Sequence, residues 1–285
     1  MTNPPKPAHD WTQAAPGFAR LDAEPFPAFE PGTVWLVGAG PGAPGLMSLM
    51  AYHAMQQADV VVYDALVNPD ILRWVRPGAE LVYAGKRGGK PSASQRDISE
   101  RLIELARARA RVLRLKGGDP FIFGRGGEEA QALKQAGVAF RIVPGISAGI
   151  GGLAYAGIPA THRDLNHSVI FLTGHDATGA LPANVDWRAV ATASPVIVMY
   201  MAVKHLPEIA AALIAGGRDP ADTLTIVSNA TLPHQSVLET RLGEVEVFLA
   251  HNTPETPAIV VAGKVEHWRS ILDWFDAPAR ESPIG

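Results

Sequence analysis

Residues 112–129 read Val112-Leu113-Arg114-Leu115-Lys116-Gly117-Gly118-Asp119-Pro120-Phe121-Ile122-Phe123-Gly124-Arg125-Gly126-Gly127-Glu128-Glu129. The apolar run 112–115 predicts a strand, and the segment from Gly127 predicts the start of a helix. Residues 116–129 hold five glycines, a proline and two phenylalanines, far more than a structural turn requires. Glycine allows positive φ and lets the main chain approach a ligand closely, and the flanking charges are too sparse for a disordered linker. The loop reads as a small-molecule site.

Outward from this loop, short β-branched runs alternate with longer helical windows, the pattern of parallel βα units. Strands are predicted at 33–37, 60–63, 81–84, 112–115 and 140–143. Helices are predicted at 46–57, 94–108 and 127–136, the second with Ile98, Leu102 and Leu105 on one face. A second set of strands follows at 169–173, 196–200, 224–227 and 258–261, with 236–241 as an antiparallel partner and helices at 203–215 and 265–275. Strand patterning lapses over 157–166, GIPATHRDLN, which marks a boundary. The expected fold class is α/β, with an α/β unit at 33–156, a second at 157–285 and a ligand cleft between them.

The first 32 residues carry seven of the 24 prolines, with Lys6 and Arg20 as their only Lys or Arg. They have no continuous apolar core, so they resemble neither a signal peptide nor a membrane span and read as an irregular tail. Trp11 and Phe18 offer that tail two docking points. A 285-residue chain that is 47% hydrophobic buries a sizeable core, and a net charge of −3 advertises neither nucleic acid nor an anionic membrane as partner. The absence of cysteine excludes disulfides and thiolate chemistry and points to a reducing compartment, the cytoplasm.

Glycine recurs where strand one meets its helix (Gly38, Gly40, Gly42, Gly45) and after strand five (Gly145, Gly149, Gly151, Gly152). The first cluster fits G-x-G-x-x-G, with Asp59 or Asp64 near the place of a ribose-binding acid. Pro41 and Pro44 remove amides that a pyrophosphate cradle would use, which disfavours a nicotinamide dinucleotide. A plain strand-to-helix turn also satisfies this cluster. Parallel sheets bind ligands at the carboxyl ends of their strands, so the loops after strands one, four and five line one rim. Such a bare rim suits a nucleoside-type cofactor held by main-chain groups.

Seven blocks, VGAGPG (37–42), ADVVVYDALV (58–67), AGKRGGKPS (84–92), RLKGGDPFIFGRGGEE (114–129), VPGISAG (143–149), YAGIPATHRD (155–164) and VIVMYM (196–201), together resemble the signatures of the tetrapyrrole methylase family. The resemblance is collinear from about 34 to 263, and the longest block is characteristic of the branch that methylates uroporphyrinogen III. It implies a two-domain homodimer that binds S-adenosylmethionine in its interdomain cleft and methylates that substrate at C-2 and C-7, through precorrin-1 to precorrin-2. That product belongs to cobalamin and sirohaem biosynthesis. The implied cofactor contacts are Pro41, Gly117, Gly118, Asp119, Ile122, Ser147, Ala148, Met201 and Ala230. Asp64 and Lys86 match the proposed acid/base pair, and Leu66, Phe123 and Tyr200 match positions lining the active site. No metal ion is implied.

The residues also have readings of their own. Asp64 closes strand two, where a carboxylate serves as general base or substrate holder, or as a helix cap or turn residue. Lys86 ends strand three beside Arg87 and Lys90, a solvated basic loop if nothing else claims it. A substrate with eight carboxylates calls for basic groups at the cleft mouth, and Lys86, Arg87, Lys90, Arg125, His162 and Arg163 all fall in loops expected there. His162, His167 and His175 have no recognised metal-ligand spacing. Tyr200 and Met201 close an apolar strand, which by itself reads as core. Against the family pattern, Ala43 replaces the acid of GAGPGD, Ala65 replaces a frequent Arg, and Ser147 replaces a frequent Thr while keeping the hydroxyl. Ala43 bears on loop capping and cofactor affinity.

Overall fold

A computed structural model describes residues 26–85, 95–164, 166–176 and 178–263, together with 265, 269, 271, 272, 274 and 275. Lys86, Arg87, Lys90, the tail residues Trp11 and Phe18, and residues 266–268, 270 and 273 of the helix expected at 265–275 lie outside the described residues.

The first sheet holds β1 (Val34–Gly38), β2 (Val60–Tyr63), β3 (Glu80–Tyr83), β4 (Val112–Lys116) and β5 (Phe140–Val143), all parallel, in the order β3-β2-β4-β1-β5. Because side chains alternate along a strand, Trp35, Val37, Leu113 and Leu115 enter one core while Val34, Leu36 and Val112 enter another on the opposite face. The first core is closed by α1 (Leu49–Gln57). The second is closed by α3 (Gln95–Arg107) and α4 (Gly126–Gln135), through Leu102, Leu105 and Leu133. A sheet covered on both faces explains why its strands read as continuous apolar runs.

Residues 26–32 form no helix or strand, yet Phe29 is buried and stacks on Trp35 with ring centroids 4.6 Å apart. Helix α1 begins one turn later than the sequence pattern predicts. Pro44 opens a short 3₁₀ turn instead, and the Ser48 hydroxyl then caps α1 by accepting the Ala51 N–H at 3.2 Å.

The second sheet runs β6-β7-β10-β8-β9, from β6 (Val169–Thr173), β7 (Val196–Tyr200), β8 (Thr223–Ser228), β9 (Ser236–Arg241) and β10 (Ala258–Ala262). Only β6 and β7 pair in parallel, and β9 joins β8 antiparallel, as its sequence predicts. Helix α7 (Leu206–Ala215) covers one face through Leu206, Ile209 and Leu213. The other face receives Leu153 of α5 (Ala148–Tyr155), so α5 lies before 157 in sequence but packs on the second sheet.

Helix α5 is not evident in the sequence, nor are α2 (Pro69–Leu72), α6 (Trp187–Ala193) and α8 (Val245–His251). Three of α5's eight residues are glycine, which costs about 1 kcal/mol each against alanine in a helix. Packing decides otherwise: a β-carbon on Gly149 would stand 2.3 Å from the Tyr200 hydroxyl oxygen, one on Gly152 2.8 Å from Ala230, and one on Gly151 2.9 Å from Pro41. The bareness lets α5 wedge between the first loop and the second sheet.

Asp59 is excluded as a ribose-binding acid. It precedes β2, at the edge away from the glycine loops, and accepts the Arg111 N–H at 2.8 Å and an Arg76 N–H at 2.6 Å. Burial pushes its carboxyl up, but the Arg111 amide and the Arg111 and Arg76 guanidinia outweigh this and hold it below the usual carboxylate range. Among the described residues, no helix is long and apolar enough to cross a membrane.

Two expectations follow from this packing. A β-carbon on Gly38 would lie 2.6 Å from the Gly118 carbonyl and the Gly145 backbone, so Gly38→Ala lowers stability by about 1–3 kcal/mol, read as a lower urea midpoint. A depressed folded-state pKa contributes stability that is complete above the unfolded value of about 4 and lost as pH falls through the folded value. The urea midpoint of the natural protein should therefore fall more steeply below about pH 4 than that of Asp59→Asn.

Candidate active site

β4, β1 and β5 are neighbours, so the three glycine loops leave the sheet side by side. The first two exchange backbone hydrogen bonds: Gly40 N–H donates to Gly118 O at 3.2 Å and Gly118 N–H to Gly40 O at 2.7 Å. Asp119 joins the second to the third, one carboxylate oxygen accepting the Phe121 N–H at 2.8 Å and the other the Gly145 N–H at 3.0 Å. At Gly118, with φ +66°, a β-carbon would meet only Ser147 and Ala148, at 3.9 Å. Main chain of 117–118 thus faces main chain of 147–148 across a narrow groove that a single β-carbon would span at van der Waals distance.

The second sheet closes the groove from the other side. The Tyr200 hydroxyl lies 2.6 Å from Ser147 Oγ and accepts the Gly149 N–H at 2.9 Å, tying the end of β7 to the first turn of α5. Burial pushes the Tyr200 phenol up, against the pull of these two hydrogen bonds. Phe123 packs on the Tyr200 ring at 4.9 Å between centroids. After β8, Ala230 backs α5, and the Thr231 hydroxyl accepts the Ala43 N–H at 2.8 Å while Asn68 donates to Gly42 O at 2.9 Å. The Gly42–Ala43 peptide is therefore clamped from both halves of the molecule, by a main-chain bond that an alanine side chain does not weaken.

Strain concentrates here. Phe123, Arg125, Met201, Asn229 and Thr231 all have φ between +50° and +68°, where residues other than glycine rarely sit. Thr231 is held there by its N–H to Gln235 Oε1 at 2.7 Å, and Gln235 donates in turn to Tyr155 O at 3.1 Å.

Asp64 follows β2 and opens onto the same groove. Its Oδ1 accepts the Leu66 N–H at 3.2 Å and the Gly117 N–H at 3.4 Å, and its Oδ2 lies 3.6 Å from the Arg114 guanidinium. Behind it is a buried charge cluster. The fully buried Glu129 accepts at one oxygen from Arg114 (3.1 Å), Lys116 (3.2 Å) and Gln95 (2.9 Å). Burial first, and then Arg114, push the Lys116 amine below its ordinary value, with Glu129 and Asp64 pulling it back. Arg114 and Glu129 escaped the sequence reading; the available signal was an arginine inside the apolar strand VLRLK.

The structure thus brings together Pro41, Asp64, Leu66, Gly117, Gly118, Asp119, Phe123, Ser147, Ala148, Tyr200 and Ala230. Leu66, Ile122, Phe123, Phe171 and Met201 are exposed large apolar side chains, most of them in the loops around the groove, as at ligand-binding surfaces. Tyr200 is 8% exposed and spends its hydroxyl on α5. Arg125 faces solvent but is engaged bidentately by Glu128, at 2.9 and 2.7 Å. His162 and Arg163 stand in a separate turn, closed by backbone bonds between His162 and Asn166 at 2.9 and 3.0 Å. Among the described residues, no group of three or more His, Asp and Glu side chains is placed to hold a metal ion.

Tyr200→Phe leaves the Gly149 N–H without its acceptor and should cost about 1–3 kcal/mol in urea denaturation. Ser147→Ala keeps that bond and should cost less.

The family model for tetrapyrrole (corrin/porphyrin) methylases matches residues 33–246. A uroporphyrinogen-III C-methyltransferase of Sinorhizobium sp is 63% identical over 252 residues, which cover 88% of this chain and 90% of the relative. A siroheme synthase of Zymomonas mobilis is 44% identical across 94% of this chain, and the match spans 56% of that longer protein. The crystal structure of a uroporphyrin-III C-methyltransferase from Thermus thermophilus, complexed with S-adenosylhomocysteine, aligns with a TM-score of 0.71 at 39% identity, over 81% of this chain and 97% of that one. The chain belongs to the tetrapyrrole (corrin/porphyrin) methylase family.

Proposed function

We propose that this chain is an S-adenosylmethionine-dependent methyltransferase that converts uroporphyrinogen III, by C-methylation at C-2 and C-7, through precorrin-1 to precorrin-2, within cobalamin or sirohaem biosynthesis. The observation that carries this is the main-chain-lined groove at the ends of β4, β1 and β5, with one carboxylate, Asp64, opening beside it.

The residues fit the cofactor. Gly118 bares its main chain toward Ser147 and Ala148, and Pro41 withholds the amide a diphosphate would want, so the groove suits an adenosyl group with an amino-acid tail better than a dinucleotide. We assign cofactor contact to Pro41, Gly117, Gly118, Asp119, Ile122, Ser147, Ala148, Met201 and Ala230. When bound, S-adenosylmethionine supplies an electrophilic methyl group on its sulfonium sulfur. The chain's part is to align the pyrrole carbon for in-line attack and to manage the proton released as the methylated ring regains conjugation.

We assign that proton handling to Asp64 with Lys86. Asp64 is held at both oxygens, so its free face is directed rather than mobile. The exposed apolar side chains of Leu66 and Phe123 suit the face of a macrocycle, with Tyr200 behind Phe123. We assign Arg87, Lys90, Arg125, His162 and Arg163, the basic residues expected at the cleft mouth, to its carboxylates. We also read the molecule as a cytoplasmic homodimer of two α/β units, 33–156 and 157–285, after a tail at 1–32; the family resemblance supports the dimer, and the cysteine-free composition supports the compartment.

The test is anaerobic incubation of the purified protein with S-adenosylmethionine and freshly reduced uroporphyrinogen III, followed by mass spectrometry of the tetrapyrrole. Two added methyl groups are expected. An unmodified substrate beside measurable S-adenosylhomocysteine binding overturns the substrate assignment, and absence of that binding overturns the cofactor assignment. Turnover would also show that Ala43 is compatible with activity.

A further inference from the structure

We infer that Arg114 is a positioning residue for Asp64, with Glu129 setting how much of its positive charge Asp64 receives; this rests on the assignment of Asp64 to the proton step. Arg114 is 2% exposed and lies on β4, a strand otherwise committed to the core. A buried guanidinium costs several kcal/mol in lost hydration unless neighbours replace that hydration, so a purely structural role here would be better filled by an aliphatic side chain. Its neighbours divide in two directions. Nε donates inward to Glu129 at 3.1 Å, and Nη1 meets the Val62 and Leu115 carbonyls at 3.4 and 3.3 Å. The remaining amino group faces Asp64 Oδ2 at 3.6 Å. The guanidinium is thereby fixed on its inner side and presents its outer edge to the carboxylate in the groove.

The charges balance as a unit. Arg114 and Lys116, two residues apart and so on one face of β4, stand against Glu129 and Asp64. Glu129 takes both cations at a single oxygen, while its other oxygen is buried with no hydrogen-bond partner among the described residues. The groups facing Asp64 are Arg114 on β4, the Lys116 charge behind it, and the backbone N–H groups of Leu66 and Gly117. Arg114 is the ion-pair partner nearest its carboxylate among them, and it fixes Oδ2 while the two N–H groups fix Oδ1. The arrangement aims the Asp64 carboxylate from both of its oxygens.

Removing a cation raises a carboxylate pKa, and removing a competing anion lowers it. Arg114→Gln should therefore move the acid limb of kcat against pH upward by about one unit and lower kcat by about 10- to 100-fold with little change in KM. Glu129→Gln should move the same limb downward, and Arg114→Lys should restore part of both effects. Titration with S-adenosylhomocysteine verifies that each variant retains a folded site. Opposite shifts from the two substitutions support the inference, since general destabilisation has no reason to move one limb in two directions. Limbs that coincide with the natural enzyme's in both variants, or that move the same way, overturn it. Asp64→Asn is run alongside: full turnover in that variant overturns the assignment on which the inference rests, whereas lost turnover with unmoved limbs overturns the inference alone. Should Arg114→Gln fail to fold, the direction of the Glu129→Gln limb decides between these outcomes.

Discussion

The constraint on which the molecule depends is a backbone-on-backbone contact at the carboxyl edge of the first sheet. Gly38, Gly118 and Gly145 approach so closely that a β-carbon on Gly38 or Gly145 would stand 2.3–2.6 Å from a neighbouring main-chain atom. Real β-carbons do not tolerate such distances, so the three loops can cross only if these positions are bare. Once they cross, the two hydrogen bonds between Gly40 and Gly118 and the Asp119 bridge to Gly145 fix them as one surface. Pro41, Gly117, Gly118, Asp119, Ile122, Ser147 and Ala148, seven of the nine residues assigned to cofactor contact, come from these three loops.

The two sheets meet through few but specific links. Tyr200 reaches from β7 to the first turn of α5, Thr231 reaches from beyond β8 to the first loop, and α5 itself lies on the second sheet while following directly from β5. The left-handed backbone at Met201, Asn229 and Thr231 shows where the chain departs from relaxed geometry to make these links. A groove built this way has main chain on the side of the first sheet and is closed from the second by the Tyr200 side chain.

Charge is treated differently from polarity in this fold. Three ionisable side chains, Arg114, Lys116 and Glu129, are buried against the first sheet, immediately behind Asp64. Buried ion pairs seldom stabilise a protein relative to apolar packing, which argues that the cluster is there for the carboxylate it faces. By contrast, the Asp59 pairs with Arg76 and Arg111 sit at the opposite edge and tie strand β2 to its neighbours.

Much of this was legible in the sequence because its causes are local. Strands β1, β4 and β5 announce themselves as apolar runs, and the glycine density after each marks the binding edge without reference to anything distant. Helix α5 was hidden because Gly149, Gly151 and Gly152 lower local helix propensity, and only the presence of Tyr200, Pro41 and Ala230 across the seam makes those glycines necessary. The choice between Asp59 and Asp64 was likewise open, since both flank β2 and only the sheet's orientation separates them. The sequence by itself determined the α/β class, the loops that form the site and the residues available to it, because hydrophobic periodicity and glycine content act within a few residues. The tertiary structure alone decided that Arg114 stands behind Asp64 and that Thr231 holds Ala43, because those contacts join residues 50 and 188 positions apart, and no local preference encodes a distance that only folding creates.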